Sequence, residues 1–147
     1  MTNYAINKDS ETFKISEKDI ADGKSSKRKL KTVYDRLEAN GVDIHLLKLK
    51  IVDIIIKTLM SVQSDLLHNY RVSQPNDRSF SICFEVLGFD VLIDEEAKPW
   101  LLEVNQAPSF ATDSEIDQQV KSEVITDTFR LLGLSKVSRQ KQLDRLQ

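Results

Sequence analysis

Apolar residues recur at spacings of three and four through residues 43–68, at Leu47, Ile51, Ile54, Ile55, Leu59, Val62 and Leu66, the repeat of a helix with one face toward a core. Asp43, just before the repeat, is placed to cap it. A shorter helix is predicted through Val33, Tyr34 and Leu37 and should end at Asn40-Gly41. A third begins at Thr112-Asp113-Ser114-Glu115, which has the form of a capping box. It continues through Ile116, Val120, Val124, Thr128 and Leu132, joined by Ile125, Phe129 and Leu131, until Gly133 stops it. Residues 1–23 carry only isolated apolar positions and read as extended or looped. Asn69 to Arg78, with Pro75-Asn76-Asp77, reads as a loop. Phe80 to Leu87 suits a helical turn or a strand, and we read a short helix ended by Gly88.

Alternation replaces the helical repeat in two segments, Gly88 to Asp94 and Pro99 to Asn105, which read as the arms of a β-hairpin. With Glu95-Glu96-Ala97-Lys98 as a four-residue turn, Asp94 lies opposite Pro99, and counting back equally along both arms sets Asp90 opposite Glu103. Alternation then puts Leu101, Glu103 and Asn105 on the Asp90 face, and Trp100, Leu102 and Val104 on the other. Like charges directly opposed across a strand pair repel. A divalent cation between them is one resolution, and two carboxylates with one amide carbonyl suit Mg²⁺, whose remaining positions substrate phosphates usually fill. An edge hairpin with solvated acids, or one acid protonated by its neighbour, is the other. The predicted class is α+β, an antiparallel hairpin packed against long helices.

The chain has 147 residues, enough for one domain with a real core. Its 21 basic and 23 acidic residues give a formal net charge of −2, so global charge favours neither nucleic acid nor an anionic membrane. Cys83 is the only cysteine, which excludes an internal disulfide and a thiolate zinc cluster and fits a reducing compartment. The first residues lack the apolar core of a signal peptide, and the greasiest stretch, Ile51 to Met60, contains Asp53 and Lys57 and is too short to span a bilayer. A soluble, cytoplasmic protein without membrane association is expected.

Residues 24–31 hold five cations, Lys24, Lys27, Arg28, Lys29 and Lys31. Such a run is either a solvated loop or a grip for anions. Residues 135–147 carry Lys136, Arg139, Lys141 and Arg145 against a single acid and read as a basic tail. His45 and His68 fall at a helix start and a helix end, where surface roles outweigh catalytic ones.

Five ordered segments resemble successive signatures of the tubulin–tyrosine ligase-like family: Thr2 to Lys8, Ser26-Lys27-Arg28-Lys29-Leu30, His68-Asn69-Tyr70, Phe84 to Asp90, and Trp100 to Asn105 with Pro108-Ser109-Phe110. Among its members the wording is most similar to the tubulin polyglutamylases. The resemblance implies an ATP-grasp ligase that binds ATP and Mg²⁺ between two α+β lobes, with Asp90, Glu103 and Asn105 on the metal. It further implies that Thr2 and Asn3 reach the nucleotide and acceptor region, and that Lys27, Arg28 and Lys29 lie near an acidic peptide, with Lys27 also beside the nucleotide. The reaction implied phosphorylates a glutamate side chain of a tubulin tail; free glutamate then attacks the acyl phosphate to form an isopeptide bond. Tubulin tails or microtubules would be the partner, and the cytoskeleton, including the cilium or basal body, the location.

Full members of the family carry a long region before the Thr-Asn motif. Residues 1–134 are therefore expected to correspond to the carboxyl-terminal part of an ATP-grasp catalytic domain lacking its amino-terminal half, unable to turn over alone. A non-catalytic remnant that binds acidic tubulin tails through residues 24–31 is the alternative. A small-molecule ATP-grasp ligase is a third reading, and the segments at Thr2 and Ser26 count against it.

Overall fold

The computed structural model describes residues 26–77 and 83–133. In order these form helix α1 (Leu30–Ala39), helix α2 (Ile44–Ser73), strands β1 (Gly88–Ile93) and β2 (Pro99–Asn105), and helix α3 (Glu115–Leu131). The segment of residues 1–23, the tail at 135–147 and Phe80 lie outside the described residues.

α1 ends where its sequence changes conformation: Asn40 donates its backbone N–H to Arg36 and Leu37, and Gly41 takes φ +87°, a left-handed position that glycine occupies without steric cost. Two residues on, Asp43 Oδ1 accepts from the Leu46 backbone N–H at 2.9 Å and starts α2. α2 runs 30 residues to Ser73, beyond the expected end near His68, so the start of the anticipated loop is helical. Nothing in His68-Asn69-Tyr70-Arg71 removes a helical hydrogen bond. The chain leaves α2 at Gln74, and Tyr70 Oη donates to the Asp77 carboxylate across the turn.

Residues 83–87 are irregular rather than helical, and β1 starts at Gly88. This replaces the short helix expected up to Leu87. α3 is capped by Ser114, not Thr112: Ser114 Oγ accepts from the Asp117 N–H at 3.3 Å and donates to Asp117 Oδ2 at 2.7 Å. The hydroxyl–acid pair is therefore Ser114 with Asp117, two residues later than Thr112 with Glu115, and serves both partners at once.

β1 and β2 form a two-stranded antiparallel sheet. Such a sheet is marginal alone, and here β2 rests against α2, so the α+β class with a hairpin packed on a long helix holds. The turn and the start of α2, including Leu47 and Lys50, line a cavity of about 320 Å³. Leu47 (2% exposed) and Ile116 (7%) are the buried hydrophobic residues among those described. Ile51, Ile54 and Ile55 are half-buried, whereas Leu59, Val62 and Leu66 are exposed. The apolar face of α2 thus packs at its start and lies open farther along. No described helix is long and apolar enough to cross a membrane.

Because Asp43 satisfies an otherwise orphaned N–H of a 30-residue helix, Asp43→Ala should lower stability by about 1 kcal/mol, read from urea unfolding followed by circular dichroism.

Candidate functional site

Asp90 pairs with Glu103, Phe89 with Val104 and Gly88 with Asn105. Nearer the turn the register differs from the uniform count: Val91 pairs with Leu101, Leu92 with Trp100 and Ile93 with Pro99. Pro99 therefore opposes Ile93, not Asp94; the turn holds five residues, and Leu102 is the extra residue of a β-bulge beside the acid pair. The bulge reverses the faces of the outer arm, placing Leu101 opposite the Glu103 face and Trp100 on it.

The longer turn is organised by Asp94. Its Oδ1 accepts from the backbone N–H groups of Lys98 (2.8 Å) and Glu96 (3.1 Å), and its Oδ2 from the Trp100 indole N–H at 2.6 Å. These donors hold the Asp94 carboxyl below its ordinary pKa, the indole contributing most. Ala97 takes φ +58°, and the Lys98 ammonium sits 3.8 Å from the centroid of the Trp100 ring. A turn satisfying so many groups through one side chain outweighs the four-residue alternative.

At the other end of the hairpin, Asn105 Nδ2 donates to Glu103 Oε1 at 3.1 Å. Burial of the Asp90 carboxyl, then its hydrogen bond to Glu103 and the Glu103 charge, push the Asp90 pKa up. Gly88 lies opposite Asn105, where a Cβ would come 3.3 Å from Pro108 Cβ and 3.5 Å from Asn105 Cβ. The missing side chain keeps the Pro108 loop close behind the pair. Among the described residues no three His, Cys, Asp or Glu side chains cluster as a metal site. The protein oxygens are two acids and an amide, short of positive charge, which is the donor chemistry of a hard divalent cation whose shell is completed by phosphate and water.

Thr2 and Asn3 lie outside the described residues. Among the described residues, Lys27 and Lys29 of the basic segment are engaged by the start of α3. Lys27 Nζ binds both carboxylate oxygens of Asp117, at 2.6 and 2.5 Å, and Lys29 Nζ donates to Gln119 Oε1. Arg28 between them is exposed. Burial alone would raise the Asp117 pKa; hydrogen bonds from Lys27 and Ser114, with the charges of Lys27 and Lys121, outweigh it and leave the pKa lowered. Sequence reading missed both Asp94 and Asp117. The Ser-x-x-Asp spacing from Ser114 was the available signal for the second.

These features sit within a known catalytic family: the sequence matches the tubulin-tyrosine ligase family over residues 1–144, and the chain belongs to it. Relatives include tubulin polyglutamylase ttll6 of Danio rerio, 48% identical over 141 residues (96% of this chain, 18% of that protein). Tubulin polyglutamylase TTLL6 of Homo sapiens is 44% identical over 144 residues, covering 98% of this chain and 16% of that protein. Tubulin polyglutamylase TTLL7 of Xenopus tropicalis is 42% identical over 145 residues, 97% of this chain and 16% of the relative. The chain spans less than one fifth of the length of these relatives.

The two perturbed acids should respond to pH with opposite signs. A raised pKa makes Asp90 increasingly unfavourable to folding as pH rises above the ordinary carboxylate value, so Asp90→Asn should stabilise the metal-free protein at pH 7, by only about 0.3 kcal/mol because the site is exposed. A lowered pKa makes Asp117 favourable above about pH 4, with that contribution lost on further acidification. Asp117→Asn should cost about 2 kcal/mol at pH 7, between the values for exposed and buried pairs, and the gap should close below about pH 4. Unfolding free energies measured across pH 3–8 check both signs.

Proposed function

We propose that the protein is an ATP-dependent tubulin polyglutamylase, joining free glutamate to glutamate side chains in tubulin tails. The observation that carries this reading is the opposition of Asp90 and Glu103, with Asn105 hydrogen-bonded beside them, in a chain of the tubulin-tyrosine ligase family. Polyglutamylase relatives at 42–48% identity over almost the whole chain support the choice of substrate and added residue. In this reading the acceptor carboxylate is phosphorylated by ATP, and the amine of glutamate displaces phosphate from the acyl phosphate, leaving an isopeptide bond. No protein nucleophile is required. The work of this chain is to hold anions in line that would otherwise repel.

Asp90, Glu103 and Asn105 would hold Mg²⁺, which supplies the positive field between carboxylates and phosphates. Thr2, Asn3 and Lys27 are assigned to the nucleotide and acceptor side, and Lys27, Arg28 and Lys29 to the neighbourhood of the acidic tail. Residues 1–134 would form the carboxyl-terminal part of an ATP-grasp domain, its other lobe covering the open apolar face of α2, with residues 135–147 as a basic extension. Action on tubulin tails places the protein at cytoplasmic microtubules, including those of cilia and basal bodies.

Tubulin incubated with ATP, Mg²⁺, labelled glutamate and a form of the protein extended by the other lobe of the domain should gain label in its tails, whereas residues 1–147 alone should give none. Asp90→Ala and Glu103→Gln should each lower the rate by about 100-fold or more, since each removes a group that compensates charge at the reacting centre. Equal incorporation with and without Asp90 would remove the metal assignment, and labelling of tubulin by glycine or tyrosine instead would remove the choice of added residue.

A further inference from the structure

Asp117, 6% exposed, is the buried charged residue among those described. Both its oxygens are occupied: Lys27 Nζ reaches each, Ser114 Oγ donates to Oδ2 at 2.7 Å, and Lys121 Nζ lies 3.7 Å from Oδ1. Lys27 thus ties the strip before α1 to the first turn of α3, ninety residues later, and Lys29 makes a second tie to Gln119. Withdrawing Lys27 would leave a buried carboxylate with its closest cation removed, which is strongly unfavourable.

Exposure alternates along this strip. Lys27 and Lys29 are half-buried while Ser26 and Arg28 are exposed, and Lys29 has extended backbone angles, φ −66° and ψ 141°. Successive side chains of an extended strip point to opposite sides, so the two lysines turn toward α3 and Arg28 turns outward. Lys31 is paired within α1 to Asp35 at 2.8 Å. Of these four cations Arg28 alone lacks a carboxylate or amide partner among the described residues. A guanidinium presents a planar pair of N–H donors that matches a carboxylate, which a lysine ammonium does not.

We propose that Asp117 is a positioning residue which, by anchoring Lys27, turns the Arg28 guanidinium outward to recognise a carboxylate of the acidic peptide substrate. The inference rests on the reading of this protein as a ligase for acidic tails, and it divides the basic segment into anchors and a single recognition group.

The experiment measures binding of a fluorescent glutamate-rich peptide by anisotropy, with thermal unfolding of each variant. Arg28→Gln should weaken binding about tenfold, the loss of one charge-assisted contact, with the unfolding midpoint unchanged. Lys27→Met and Asp117→Asn should weaken it similarly, the double variant no more than either single one, and Lys27→Arg should retain wild-type affinity. Within an Arg28→Gln background neither Lys27→Met nor Asp117→Asn should weaken binding further; a general structural loss would act there too. Should Asp117→Asn fail to fold, Arg28→Gln and Lys27→Met decide alone. Wild-type affinity in Arg28→Gln, additive losses in its background, or no binding of the peptide by the wild-type protein would overturn the proposal. Loss of glutamate incorporation with this pattern of peptide affinities intact would remove only the ligase reading.

Discussion

Two carboxylates held face to face across neighbouring strands set the problem that the rest of the hairpin answers. Asp90 and Glu103 repel when both are ionised, and the pKa of Asp90 is raised by partial burial first, then by its hydrogen bond to Glu103 and by the Glu103 charge. A two-stranded sheet has little stability to spare against it. The compensation is local and lies at the far end of the arms, where Asp94 gathers two backbone N–H groups and an indole N–H, and Lys98 covers the indole. Packing of β2 on α2 supports the arms, and the close approach of Pro108 to Gly88 holds the near end. A site that concentrates negative charge is thus held by a turn that contains none of the site residues.

The same hairpin separates what sequence can reveal from what it cannot. Alternating apolar positions bracket the arms, and the opposition of Asp90 and Glu103 follows from spacing. The turn does not, because four- and five-residue turns both fit between these arms and the choice depends on three-dimensional donors: the Trp100 indole reaching Asp94 is invisible to a count of residues. The bulge at Leu102 then restores at the acid pair the register that the longer turn displaces. The acid pair was legible although the path to it was not; the faces of Trp100 and Leu101 depend on the bulge and were read the wrong way round.

Contacts distant in sequence are illegible for a different reason. Capping at Asp43 and termination at Asn40-Gly41 are encoded within four residues and were readable. The pairing of Lys27 with Asp117 spans ninety residues, and nothing near Lys27 distinguishes it from its neighbours Arg28 and Lys29. A basic run looks uniform to composition. In the fold it is divided, because a buried carboxylate needs a specific partner whereas an exposed cation does not.

The long helix shows how periodicity can report more than the contacts in view. At about 1.5 Å per residue α2 extends for about 45 Å, and its apolar repeat continues at the same spacing from Leu47 to Leu66. Burial does not. Leu47 is 2% exposed where the turn and β2 lie against the helix, while Leu59 and Leu66 reach 39% and 49%. Ile56, Leu59, Met60, Leu66 and Tyr70 line an open apolar cavity of about 460 Å³ along that farther half. Propensity cannot explain the pattern, since a solvated helix forms as well or better with lysine or glutamate at such positions as with β-branched Ile and Val. A face apolar over five turns is suited to contact along its whole length. The amphipathic repeat therefore reports more contact surface than the described residues fill, and the hairpin covers only the part nearest Leu47.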